Sequence, residues 1–213
     1  MSGMAFQGFD EAALDFYDDL EMDNTKAFWE AHRDVYTTAV AEPMAALTEE
    51  LAAEFGQAKI FRPYRDVRFA KDKTPYKTHQ GAFVAVAPAT GYYVQIGAPG
   101  VRVGAGFYEA STERLATLRR AIDNDRHGRE LERIVNTLKK TGWEISGSRL
   151  KTAPRGWDPG HPRIDLLRHK SITIGKDYGF GADVIGTPAL VDRIRTDWRA
   201  ATPLVAWLER HGG

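Results

Sequence analysis

The chain contains no cysteine, which excludes disulfides, cysteine-bound zinc, iron–sulfur clusters and thiol catalysis together. It has no surplus of either charge: 29 Lys and Arg stand against 29 Asp and Glu, with a pI near 7. The protein as a whole therefore has no electrostatic attraction to nucleic acid or anionic membrane, and any such attraction must come from a local patch. No apolar run is long enough to span a bilayer. The start, "MSGMAFQGFDEAALDFYDD", lacks the basic-then-apolar order of a secretory leader. These absences predict a cytoplasmic, unprocessed protein with no membrane partner. There is no G-x-S-x-G elbow, phosphate-loop lysine motif or dinucleotide fingerprint. "GAPGVRVGAG" has the glycines of a hairpin without the helix a nucleotide site needs after it.

What is present fits an ordinary folded protein. Hydrophobic residues at 43% and charged residues at 27% of 213 allow one sizeable core, and we expect a single domain over residues 1–213. Asp10 reads as a helix N-cap, with Phe9 and Leu14 placed as a hydrophobic staple. Asn24 reads as the cap of a second helix carrying Phe28, Trp29, His32, Tyr36 and Val40 on one stripe, bent or restarted at Pro43 and ended at Gly56. His32 on that stripe is expected to be a packed core histidine.

From Ile60 the apolar period changes to two. Strands are predicted at 60–69, 81–87, 92–97 and 101–107, the last two joined by a type II turn at Pro99-Gly100. Ser111 caps a helix and a further helical run ends before Gly142. Strands follow at 143–151 and 172–174 around a short helix starting near Pro162, and a closing helix begins at Thr187-Pro188. Consecutive strands with helices before and after indicate an α+β fold: an antiparallel meander packed by flanking helices.

The densest charge lies in "FRPYRDVRFAKDKTPYKTH", where Arg62, Arg65, Arg68, Lys71, Lys73 and Lys77 face only Asp66 and Asp72. As an extended segment it places Arg62, Tyr64, Asp66 and Arg68 on one face, and Phe61, Pro63, Arg65 and Val67 on the other. Arg65 among apolar neighbours needs a carboxylate or a cluster of carbonyls, because a buried guanidinium without a partner is too costly. Arg65 and Asp66 are therefore read as scaffold. Arg62, Arg68 and Lys73, on a basic loop beside an arginine face, are read as an anion-binding rim, with Tyr76 and His79 as candidate proton-handling groups.

Arg62, Arg65-Asp66, Arg68-Phe69, Lys73 and Tyr76 match, position by position, the pattern R-x-x-R-D-x-R-F-x-x-x-K-x-x-Y. In this the chain resembles the family called domain of unknown function 2461. "FQGFDEAALDFYDDLEMDNTKAFW", "GYYVQIG" and "LKTAPRGWDPGHPRIDLLRHKSI" extend the resemblance over most of the chain. Asp23 departs from the asparagine expected beside Asn24. The resemblance implies membership of a bacterial and fungal family but no activity.

A second basic stretch holds Arg155, His161, Arg163, Arg168, His169 and Lys170 around the predicted helix at Pro162, whose N-terminus also favours an anion. Arg155, His161 and Arg163 join the candidate ligand residues, and the two stretches are candidates to share one ligand. No tight His/Asp/Glu cluster completes a ligand set, so neither a metal nor another cofactor is predicted. Three functions remain open: binding of a small anionic ligand, phosphorylated or carboxylated, with or without catalysis; a non-catalytic interaction module whose signature is a structural ion network; and nucleic-acid binding through the interleaved Tyr64, Arg65, Arg68, Phe69 and Tyr76, which zero net charge disfavours.

Overall fold

The computed structural model describes residues 5–212; the first four residues of the start read above lie outside them. In chain order the elements are α1 (Glu11–Met22), α2 (Lys26–Ala31), α3 (Arg33–Val35), a π-helical turn (Tyr36–Ala41), α4 (Glu42–Phe55), β1 (Ala58–Ile60), β2 (His79–Ala87), β3 (Thr90–Gly97), β4 (Gly100–Phe107), α5 (Thr112–Asp123), α6 (Asp125–Lys140), β5 (Glu144–Ser146), α7 (Ile164–Leu167), β6 (Ile172–Asp177) and α8 (Ala189–Gly212). The strands form one six-stranded antiparallel sheet in the order β1-β2-β3-β4-β6-β5, and the fold is α+β. Two-residue connections after β2 and β3 leave room only for hairpins, which fixes the central strands as a meander.

Contacts group the chain into two compact units. One comprises the residues up to Val84, Tyr93–Val103 and Asp177–Thr196; the other comprises Ala85–Tyr92, Gly104–Lys176 and the residues from Asp197 on. In the first unit, Asp10 caps α1 by accepting from the Ala12 amide, and Phe9 and Leu14 are buried as the staple requires. Phe16, Tyr17 and Leu20 of α1 are buried in the same unit as Met44, Leu47 and Leu51 of α4. Pro43 lacks an N–H, and the chain restarts there: the Glu42 amide donates to the Thr37 carbonyl across a wide π turn, and α4 continues from it to Gly56, whose φ of 97° favours glycine. In the second unit, Leu118 and Ile122 of α5 and Leu131, Val135 and Leu138 of α6 are buried, as their helical spacing requires.

Several expectations are corrected. The strand expected over 60–69 stops at Ile60, because Pro63 has no N–H for the ladder; residues 61–78 form a loop with one isolated bridge, Tyr64 to Tyr76. The Asn24 cap is made by Thr25, whose hydroxyl accepts from the Phe28 amide. His32 is half-buried, not core, with its ring stacked on Phe28 at 4.0 Å and Nδ1 2.8 Å from the Phe28 carbonyl. The strand expected at 143–151 is short, because Gly147, at φ 109°, turns the chain away after Ser146. The helix expected near Pro162 begins at Ile164 and lasts one turn. Among the described residues no helix is long and apolar enough to cross a membrane.

Candidate functional site

The loop of residues 61–78 belongs to the first unit and leaves the sheet between β1 and β2. Its stem is held by backbone bonds from Phe61 N–H to Gly81 O, from Lys77 N–H to Pro63 O and from Arg65 N–H to Pro75 O, each 2.8 or 2.9 Å. The buried Gln80 side chain donates to the Phe61 and Gly81 carbonyls at 2.6 and 3.1 Å and accepts from the Tyr36 hydroxyl at 2.6 Å. Where the ladder is interrupted, an amide side chain thus supplies the bonds the strand no longer makes.

Tyr76 is fixed from two directions. Its neighbours make the stem bonds to Pro63 and Arg65, so its own N–H and C=O face away from Tyr64. Asn24 meets both, accepting from the N–H and donating to the C=O at 3.1 Å each. The ring is 4% exposed and lies parallel to Trp29, with centroids 4.3 Å apart and planes 6° apart. Tyr64 is 43% exposed, at 5.4 Å from Tyr76 and 6.0 Å from Trp29, and leaves one ring of this cluster open to solvent. Burial raises the Tyr76 pKa, helped by Tyr64 and Glu30, so the phenol stays protonated. Burial also pushes Tyr36 up to about 12.

The loop's charges are wired to the loop itself. Arg65 Nη1 donates to Asp72 and, at 2.7 Å, to the Thr74 hydroxyl; Asp72 in turn accepts from the Thr74 amide at 2.9 Å and hydroxyl at 2.8 Å. The Thr74 bonds, followed by Arg65, hold the Asp72 carboxyl below its usual range. Lys73 Nζ donates to the Val67 carbonyl at 2.9 Å and Lys77 Nζ to the Arg62 carbonyl at 2.8 Å, so both lysines act as clips on backbone. Arg68 makes a two-pronged pair with Asp66, at 2.9 and 2.7 Å, with its side chain 77% exposed. Among the described residues, the side chains of Arg62 and Lys71 make no hydrogen bond or ion pair, and Arg62 acts on Asp66 only through its field. Burial alternates from Phe61 to Arg68 as the two predicted faces require, although the backbone is not a strand. Arg65 indeed has a carboxylate partner, but that partner is Asp72, while Asp66 serves Arg68.

His79 opens β2 at the base of the loop and is half-buried. Burial lowers its pKa, and Lys77 and Arg65 lower it further, so the neutral imidazole is favoured. Burial and then Arg62 likewise lower the Lys77 pKa. In both groups loss of water comes first, and the neighbouring cations add to it.

The other candidates, Arg155, His161 and Arg163, lie in the second unit. Arg155 is exposed on an irregular loop, with no partner among the described residues. His161 Nε2 is 3.1 Å from Asp123, and its Nδ1 accepts from the Arg163 amide at 3.0 Å, which sets the tautomer with the proton on Nε2. Arg163, expected as a ligand residue of the second basic stretch, is 5% exposed and works as a brace. Its Nε donates to the Ile122 carbonyl at 2.7 Å, and one Nη donates to the Asp123 carbonyl at 2.8 Å and Asp125 at 3.0 Å. It thereby ties the last turn of α5 to the first turn of α6. Gly128 makes room for it, since a Cβ there would lie 2.4 Å from Arg163 Nε. The four-residue α7 is too short to act as an anion site in its own right.

Sequence reasoning missed Asn24 as the lock on Tyr76, Trp29 as its stacking partner, and Gln80 and Thr74 as loop ties. A short polar side chain before a helix reads as a cap, and only the return of a distant segment could show another use. Among the described residues no three His, Asp or Glu side chains converge as metal ligands. No curated protein matches the chain. The model of a family described as conserved hypothetical protein (DUF2461) matches residues 12–207, spanning the loop and both units, and the chain belongs to that family.

Proposed function

We propose that this protein binds a small anionic ligand, phosphorylated or carboxylated, on the outward side of the loop of residues 61–78. One observation carries the reading: the loop is braced by its own bonds, while the Arg62 and Lys71 side chains are exposed and make no hydrogen bond or ion pair among the described residues, and Arg68 remains 77% exposed beside Asp66. Cations held near one another on a braced loop repel, and an arriving anion relieves that repulsion. Arg62, Arg68 and Lys71 would meet the ligand, with Lys73 holding the loop's shape. In a catalytic version the neutral His79 suits a proton acceptor and the protonated Tyr76 a donor.

The test is thermal unfolding against phosphate, nucleotides, sugar phosphates and dicarboxylates. A melting temperature that climbs with ligand concentration in the wild type and not in Arg62→Ala supports the site; ligand at a hundred times Kd stabilises by about 2.7 kcal/mol. No shift across the panel would sink it.

The second reading is an interaction module without catalysis. It is favoured by Phe69, which is 97% exposed at the loop's tip, where an apolar ring is better explained by a protein surface than by a small ion. Under that reading Phe69→Ala leaves melting unchanged in every buffer of the panel, and Lys73→Ala destabilises the protein with no ligand response to lose.

A further inference from the structure

The second unit contains a groove of about 450 Å³ that shares only Lys170 with the basic stretches of the sequence. Its walls come from the start of α5, the chain just before it, and the turns that flank β5 and β6. The polar groups that matter are Arg119, Lys170, Ser148, Ser171 and Thr112, with Glu109 also on the lining. The volume is in the range of small-molecule sites and exceeds what a bare ion needs.

Arg119 is the unusual member. Its Nε donates to the Leu167 carbonyl at 3.0 Å, which orients the guanidinium plane. Its Nη2 is buried and has no hydrogen-bond partner, and no other bond is made by its terminal nitrogens among the described residues. A buried guanidinium nitrogen without an acceptor is rare, because five fixed donors usually find carbonyls or carboxylates when water is removed. Arg163 in the same unit is the contrast: although the whole residue is buried, it has a carbonyl or carboxylate for each nitrogen that donates. Burial lowers the Arg119 pKa, because the charged form loses water.

The surroundings supply further donors. Lys170 is exposed, and its backbone N–H is fixed to the Ser148 carbonyl at 2.7 Å, which pins its place on the lining. The Ser171 hydroxyl accepts from the Ser148 amide at 2.7 Å, so its own proton remains available. His169, next to both, is fixed through Nδ1 2.9 Å from the Ser171 carbonyl.

We infer that this groove is a binding site for the oxyanion of a small organic molecule, a carboxylate or a phosphate ester, received by Arg119 and by Lys170, with Ser171 as hydroxyl donor. Arg119 lines the groove with a guanidinium whose planar donors suit such an anion, and Lys170 adds a flexible charge at the rim. Glu109 limits the net charge the groove accepts and favours a monoanion, or a ligand carrying its own amine, over a polyanion. This site does not depend on the loop of residues 61–78.

The experiment is a nuclear magnetic resonance titration of the full chain with acetate and, separately, inorganic phosphate, at constant ionic strength against chloride. Saturable shifts of the Arg119 Nε–H signal and of the Ser148 and Ser171 amides are expected. Lys170→Ala should weaken half-saturation at least fivefold, and Arg62→Ala should leave it unchanged. The stronger of the two probes identifies the class. Signals that move equally in chloride, or an unchanged titration in Lys170→Ala, would overturn the proposal. Lys170 is exposed, so this variant tests the site even if Arg119→Gln fails to fold.

Discussion

The loop of residues 61–78 and the segment of residues 149–171 are both rich in arginine, lysine and histidine, yet they use their charge in different ways. In the loop, the cations return to their own segment: Arg65 to Asp72, Arg68 to Asp66, Lys73 to Val67 O and Lys77 to Arg62 O. In the second segment one arginine, Arg163, reaches outward to another part of the chain, while Arg168 ties the segment's two ends together. Arg163 braces the ends of α5 and α6, and Arg168 holds the Leu150 and Lys151 carbonyls at 2.9 and 2.6 Å. The first arrangement makes a self-supporting loop whose outer charges face water; the second makes Arg163 part of the core's edge. Charge density along a sequence therefore does not say whether a cation is available. What decides is whether a backbone carbonyl lies within reach in a place water does not occupy.

The largest effect that separates the two regions should come from Arg163→Ala. Removing a guanidinium that is 5% exposed leaves the Ile122 and Asp123 carbonyls without their donor, and chemical denaturation should show a loss of about 3 kcal/mol. If the loss is negligible, the contrast drawn between a brace and a rim fails.

Asn24→Ala should come next. It strips both bonds from the Tyr76 backbone and should lower stability by about 1–2 kcal/mol. Hydrogen exchange at the Tyr76 amide should quicken markedly, while the amides of α6 keep their protection. Equal loss of protection in both would mean that the loop and the second unit open together.

Acid should act on both regions. His79 in the loop's base, and His169 and His211 in the second unit, have pKa values lowered by burial first. A histidine whose folded pKa lies below its unfolded value of about 6.5 binds fewer protons when folded, so its contribution is complete above that pH and is lost as pH falls through the folded value. Stability should thus decline below pH about 6.5, and His79→Gln should reduce the slope of denaturation midpoint against pH. A slope unchanged in that variant would show that His79 takes up its proton without resistance.

The smallest effect should come from Arg68→Ala. Its pair with Asp66 is open to solvent, and screening leaves such pairs with little to contribute. Melting should stay at the wild-type value in ligand-free buffer, and a measurable drop would place Arg68 among the braces.

Much of the fold was legible because it follows from local chemistry. The Asp10 and Ser111 caps, the Phe9 and Leu14 staple, the restart at Pro43 and the hairpins of β2 to β4 each depend on residues close in sequence. The alternation from Phe61 to Arg68 was readable for the same reason, since side chains of extended backbone point to opposite sides whether or not a ladder forms. The site was only partly legible. Arg65 could be identified as needing a carboxylate, but Asp66 beside it and Asp72 further on were chemically equivalent candidates, and loop closure chose Asp72.

What the sequence determined alone, then, is the α+β class, the order of helices and strands, the family signature and the concentration of charge at 61–79. These rest on periodicity, caps and turns, which act over a few residues. Only the tertiary structure decided that Asn24 locks Tyr76 across the chain, that Arg163 is a brace, and that one terminal nitrogen of Arg119 is buried without an acceptor. The reason is physical: a polar side chain has several acceptable partners in water, and folding selects one by deciding which distant carbonyl or carboxylate is brought near it and which water is removed.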